Sequence, residues 1–119
     1  MTKPLAGDSF MLTVNDHQIP TDKHGYLSDL NDWTEDVAIE LAKTENIELS
    51  EGHWEIIHLL REFYATFETS PSARPLAKAI KNKLGDEKAS SIYLMTLFPE
   101  SPAKQGAKIA GLPRPANCF

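Results

Sequence analysis

Residues 51–67, EGHWEIIHLLREFYATF, constrain the fold of this chain more than any other stretch. Ser50 is a good N-cap, and Glu51 suits the positive end of a helix dipole. Trp54, Ile56, Ile57, Leu59, Leu60, Phe63, Tyr64 and Phe67 cover far more than one face of the helix that follows. A helix apolar nearly all round has to be surrounded, so it is expected to be the central helix of the core. The aromatics then serve packing rather than a ligand platform. His53 and His58 lie five apart, which does not put them on one face for chelation, and they read as helix-surface or core-edge residues. The chain's 119 residues suffice for one domain with one modest core. Hydrophobic residues make up 41% and charged residues 24%, the balance of a soluble globular chain.

The other elements have to wrap around that helix. Residues 9–14, SFMLTV, then the turn signal Asn15-Asp16, then HQIP, predict a hairpin from about Phe10 to Ile19, with Pro20 at the strand's end. Residues 21–33 read as a loop pinned by Tyr26, Leu27, Leu30 and Trp33. A first helix is expected near Thr34, capped by Asp32, with Trp33, Val37, Ala38 and Leu41 facing inward. After the break at residues 69–72, a helix over Ala73–Leu84 ends at Gly85 with Leu76, Ile80 and Leu84 inside. Arg74, Lys78 and Lys81 share its outer face. A fourth helix, from about Glu87 to Leu97, has Ile92, Tyr93 and Met95 available to the core, and the short turn between the two makes them resemble a helix-turn-helix. Pro102 opens a last short helix to about Ala110, with Ala103, Gly106, Ala107 and Ile109 packing and Lys104 and Lys108 exposed. The expected fold is α+β but mainly α: a small N-terminal β-hairpin on a compact helical domain containing a helix-turn-helix-like pair, with an extended C-terminal arm. The domain covers residues 1–110, and residues 111–119 form a flexible arm.

That arm, GLPRPANCF, carries the chain's single cysteine, Cys118. Pro113 and Pro115 exclude helix and inner strand and favour an extended, semi-rigid segment. Seven residues after Gly111 could carry the thiol on the order of 20 Å from its anchor. A penultimate residue after Pro-x-Pro is hard to bury. A reactive thiol and an incidental one on a terminus both remain open from position alone. One cysteine excludes an intramolecular disulfide.

Net charge is −5, unevenly spread. Residues 1–71 hold 4 Lys/Arg against 14 Asp/Glu, and residues 72–119 hold 8 against 3. The basic C-terminal part is suited to an acidic partner, whether protein, RNA or DNA, or is simply a solvated face. No apolar run approaches the ~20 residues of a membrane span, and MTKPLAGDSF lacks a signal pattern, so a cytoplasmic protein with no membrane contact is expected. The sequence contains no serine elbow, HExxH, CxxC or glycine-rich phosphate loop, and four scattered histidines make no zinc site; no cofactor or metal is expected. A free thiol of pKa ~8.5 is only a few per cent thiolate at pH 7. Arg114, Lys104 and Lys108 would lower its pKa, and the terminal carboxylate of Phe119 would raise it.

The run PAKQGAKIAGLPRPANCF (102–119), with GHWEII (52–57), LREFY (60–64), the stretch from Arg74 through LFP (97–99) and GYLSDLNDW (25–33), resembles the TusE/DsrC family of sulfur-relay proteins over most of the chain. The resemblance implies a helical domain with a small N-terminal hairpin. In the sulfite reductase branch a second cysteine lies eleven residues before the penultimate one; here that position is Ala107, so the likeness is to the TusE-like branch. It implies that Cys118 carries a persulfide, accepted from a TusBCD-like donor complex and passed to an MnmA-like tRNA thiouridylase for wobble-uridine 2-thiolation. Gly111, Pro113 and Pro115 then shape the arm, and Arg114 is a contact to partner or persulfide, with Lys104 and Lys108 near it. The alternatives are a partner of a sulfur-metabolism enzyme and a helix-turn-helix DNA-binding regulator of the DsrC type, reading nucleic acid with Arg74, Lys78, Lys81 and Lys88.

Overall fold

A computed structural model describes residues 10–115. Two strands, β1 (Phe10–Val14) and β2 (His17–Thr21), pair antiparallel with Val14 opposite His17 and Phe10 opposite Thr21. Asn15 and Asp16 form the two-residue turn, both at positive φ (50° and 69°), which a right-twisted hairpin favours. The Asn15 amide donates to Asp36 Oδ2 at 2.9 Å and ties the tip to the first turn of the next helix. Pro20 lies within β2 rather than at its end, and its carbonyl accepts from the Ser28 amide.

Five helices follow: α1 (Glu35–Thr44), α2 (Glu51–Phe67), α3 (Ala73–Leu84), α4 (Ser91–Leu97) and α5 (Pro102–Ile109). The α1 cap is Thr34, whose hydroxyl accepts from the Val37 amide, and not Asp32. Asp32 instead sits in a 3-10 turn over Leu30–Asp32 that is capped by Asp29. α2 begins with a reciprocal box. The Ser50 amide donates to His53 Nδ1 at 3.0 Å, and the Ser50 hydroxyl lies 2.8 Å from the same nitrogen. His53 is therefore a buried cap residue. Its Nε2 is 2.8 Å from the Leu97 carbonyl, which fixes the tautomer with the proton on Nε2.

Two expectations about the core need correcting. Ile56, Ile57, Leu59 and Leu60 of α2 are buried, but its last turns are open to solvent and Phe67 is 60% exposed. Residues 86–90 form turns, so α4 starts at Ser91, and Ile92 and Met95 face outward while Leu94, Leu97 and Phe98 fill the core. The most enclosed element is the last one. α5 packs against α1, α2, α3 and α4, and every residue from Gln105 to Leu112 is buried. Its small side chains Ala103, Gly106, Ala107 and Ala110 permit close helix approach while contributing little to a hydrophobic pattern, which is why α2 reads as the centre from the sequence. α3 runs as expected, with Leu76 and Ile80 inside and Gly85 at its end.

Candidate functional site

The candidate site is the root of the C-terminal arm. Cys118 lies outside the described residues, as does the rest of 116–119. The chain leaves α5 through a left-handed turn. Gly111 has φ 76°, its amide donates to the Lys108 carbonyl, and the Leu112 amide returns to the Ala107 carbonyl at 2.9 Å. A side chain at position 111 would also collide with the indole of Trp33, whose Cγ and Cβ stand 2.8 and 2.9 Å from where its Cβ would lie. Only glycine meets both demands.

Three side chains then hold the carbonyls around this turn. Trp33 Nε1 donates to Ile109 O at 2.8 Å, the Arg61 guanidinium to Ala110 O at 2.7 Å, and the Ser70 hydroxyl to Pro113 O at 2.6 Å. Arg61 also lies over the Trp33 ring, 4.0 Å from its centroid. Burial draws the Arg61 pKa down, yet a guanidinium stays charged, and its hydrogen bond is a charge-assisted one. Leu112 is 3% exposed and Pro115 is buried, while Pro113 and Arg114 face solvent.

On one side of the root lies a polar cleft of about 300 Å³, lined by residues that include His24, Tyr26, Lys104, Lys108 and Arg114. Lys104 is half-buried. Lys108, expected at the surface, is buried instead: its Nζ meets Glu45 Oε2 at 2.6 Å, and its stem crosses Gly25 where a Cβ would intrude. The Gln105 amide donates to the other Glu45 oxygen, and the Gln105 oxygen accepts from the Glu100 and Ser101 amides. Burial pushes the Glu45 carboxyl up. The hydrogen bonds from Lys108 and Gln105, with the Lys108 charge, outweigh it together and hold the group below its ordinary value. This trio ties α5 to the end of α1.

Arg74, Lys78 and Lys81 are exposed on α3, and Lys81 approaches Asp86 at 3.8 Å. Lys88 is paired with Glu55 at 2.7 Å. The α3 residues share a face, but they join neither the arm root nor the cleft. Trp33 was legible as a pin for the loop, whereas Arg61, Ser70 and Glu45 were not singled out. Arg61 carried one signal, a cation set directly after Leu59-Leu60 in the most apolar helix. Among the described residues no three His, Cys, Asp or Glu side chains gather to hold a metal, and no helix is long and apolar enough to cross a membrane.

A family profile described as DsrC like protein matches residues 13–119. A protein named Sulfurtransferase TusE from Photorhabdus laumondii is 54% identical over 109 residues, covering 92% of this chain and 98% of its own. A Sulfurtransferase TusE homolog from Haemophilus influenzae is 51% identical over 109 residues, 92% of this chain and 100% of its own. Among solved structures, DsrC from Allochromatium vinosum superposes with a TM-score of 0.82 at 48% identity, covering 94% of this chain and 98% of its own. The oxidized gamma-subunit of the dissimilatory sulfite reductase from Archaeoglobus fulgidus gives 0.80 at 36% identity, covering 92% and 100%. A mainly helical domain behind an N-terminal hairpin, matched along nearly its whole length in sequence and in fold, places the chain in the DsrC-like family.

Proposed function

We propose that this protein is a sulfur carrier that accepts a persulfide sulfur on Cys118 and hands it to a tRNA 2-thiouridylase. The observation that carries the reading is identity above 50%, across nearly the full length of both chains, with proteins named Sulfurtransferase TusE. The single cysteine three residues beyond Pro115 supports it.

The chemistry needs one thiolate. The Cys118 thiolate attacks the outer sulfur of a donor persulfide, forming a new S–S bond as the donor's S–S bond breaks. The donor leaves as its thiolate and takes up a proton. Cys118 then carries Cys-S-SH, with no net oxidation or reduction of the pair. In the second step its terminal sulfur is attacked by an acceptor thiolate, and Cys118 is released. The donor in this reading is a TusBCD-like complex, the acceptor an MnmA-like thiouridylase holding tRNA, and the compartment the cytoplasm. Reaction as a sulfite reductase partner through a second arm cysteine is disfavoured, because position 107 is a fully buried alanine.

Intact mass after incubation with a persulfide-loaded donor protein tests the proposal. Wild type should gain one reducible sulfur and Cys118→Ser none. Equal loading of the serine variant, or no loading of wild type by a donor competent on another acceptor, would refute it.

A further inference from the structure

We infer that Trp33, Arg61 and Ser70 are positioning residues for sulfur transfer: they hold the root of the arm so that the thiol's tether begins at Pro115 and not at Gly111. The inference rests on the sulfur-carrier reading above. The three donors come from separate places, the loop before α1, the middle of α2 and the segment after it, and they converge on the carbonyls of residues 109, 110 and 113. These contacts do not continue a helix or a sheet; their shared effect is to fix the direction in which the chain departs. Leu112 and Pro115 are buried along the same path, so the backbone is held on both sides of the solvent-facing Pro113-Arg114 pair.

The consequence is a short tether. Seven residue steps from Gly111 would span on the order of 20 Å, whereas three steps from Pro115 span at most about 10 Å. A shorter tether confines the thiol to a smaller volume. Effective concentration at a docked partner falls as roughly the −3/2 power of tether length, so lengthening from three residues to seven dilutes the thiol about 3- to 4-fold. A partner that docks on this protein has to bring its own sulfur within that short range of Pro115.

Two substitutions release the root with little disturbance elsewhere. Ser70→Ala removes the bond to Pro113. Trp33→Phe keeps a ring against Gly111 and beneath Arg61 but removes the N–H that holds Ile109. The experiment compares wild type, both singles and the double. It measures sulfur uptake from a persulfide-loaded protein donor, Cys118 alkylation by iodoacetamide, and 15N relaxation of the Leu112 and Arg114 amides. Arg61 still holds Ala110 and the Leu112 amide still meets the Ala107 carbonyl, so the tether in the double variant lengthens to about six residues and uptake from the protein donor should fall about 3-fold. Alkylation should be unchanged, since a small reagent does not depend on where the arm is aimed, and the two amides should gain amplitude. Arg61→Lys should also lower uptake while leaving alkylation unchanged, because an ammonium cannot both stack on Trp33 and reach Ala110 in the guanidinium's geometry. Uptake unchanged in the double variant, uptake and alkylation falling in parallel, or unaltered relaxation of both amides would each overturn the positioning role while wild-type loading stands. A wild type that takes no sulfur at all would remove the carrier reading, and the positioning role with it.

Discussion

Gly111→Ala is the sharpest single probe of the arm root. Two separable costs add at this position. An L-residue at φ 76° pays about 1–2 kcal/mol for the left-handed backbone. The new methyl also overlaps Trp33, and that ring cannot swing away freely: its N–H is bonded to Ile109 O and its face is covered by Arg61. Forcing a methyl into a packed site of this kind costs about 1–3 kcal/mol. The total is roughly 2–5 kcal/mol, a fall in Tm on the order of 10 °C for a chain of this size. The two costs separate in a double-mutant cycle with Trp33→Ala, which removes the indole and leaves only the Cβ contact. In that background Gly111→Ala should keep the backbone cost and the remaining contact with the residue-33 Cβ but lose the clash with the ring, a coupling of about 1–2 kcal/mol. Urea unfolding followed by far-UV circular dichroism measures all four proteins. An identical cost of Gly111→Ala in both backgrounds would show that the indole does not enforce the glycine and would refute the argument.

The remaining predictions concern the groups around the root. Glu45 has its carboxyl held below the ordinary value in the folded protein, so its contribution is complete above the unfolded carboxylate pKa of ~4.3 and is lost as pH falls through the folded value. Glu45→Gln should therefore flatten the acid limb of the stability–pH curve, and an unchanged limb in urea titrations from pH 7 downward would count against the pairing. At neutral pH the same variant leaves Lys108 buried without its counter-charge, so Glu45→Gln with Lys108→Met should be more stable than Glu45→Gln alone, read from urea midpoints. His53→Leu strands the Ser50 amide and the Leu97 carbonyl and should cost about 1–3 kcal/mol in chemical denaturation. Thr34→Ala should cost about 1 kcal/mol, while Asp32→Ala, at the residue that does not cap α1, should cost less.

Much of the fold was legible because its signals are local. Asn15-Asp16 can hardly sit anywhere but in a hairpin turn, Ser50 opens α2, and Gly85 and Gly111 stop their helices. The rest depended on partners far along the chain. Lys108 reads as solvated because its periodicity in α5 is that of a polar residue, and only Glu45, 63 residues away, makes burial tolerable. Ile92 and Met95 read as core because they are large and apolar, but α4 starts later than its flanking residues imply, and Ile92 ends 81% exposed. Arg61 is a cation on an apolar helix, and no local rule says that it caps a carbonyl on another helix. The arm root shows the same division: the glycine and the prolines were visible, and the donors that hold them were not.

The hydrogen bonds that fix the root also set when it can form. Trp33 and Ile109 are separated by 76 residues, and the Tyr26 hydroxyl, which holds the Lys104 carbonyl near the start of the helix that leads into the root, lies 78 residues from its partner. Each contact closes a loop through most of the domain, and the entropy of that closure has to be met before the contact is gained. Local pieces such as α2 or the hairpin can form and dissolve without completing the root. A protein trapped short of its native state, or locally opened at α5, would have a thiol but no fixed point from which to present it. Under the carrier function proposed above, competence to donate sulfur is then tied to completion of the fold.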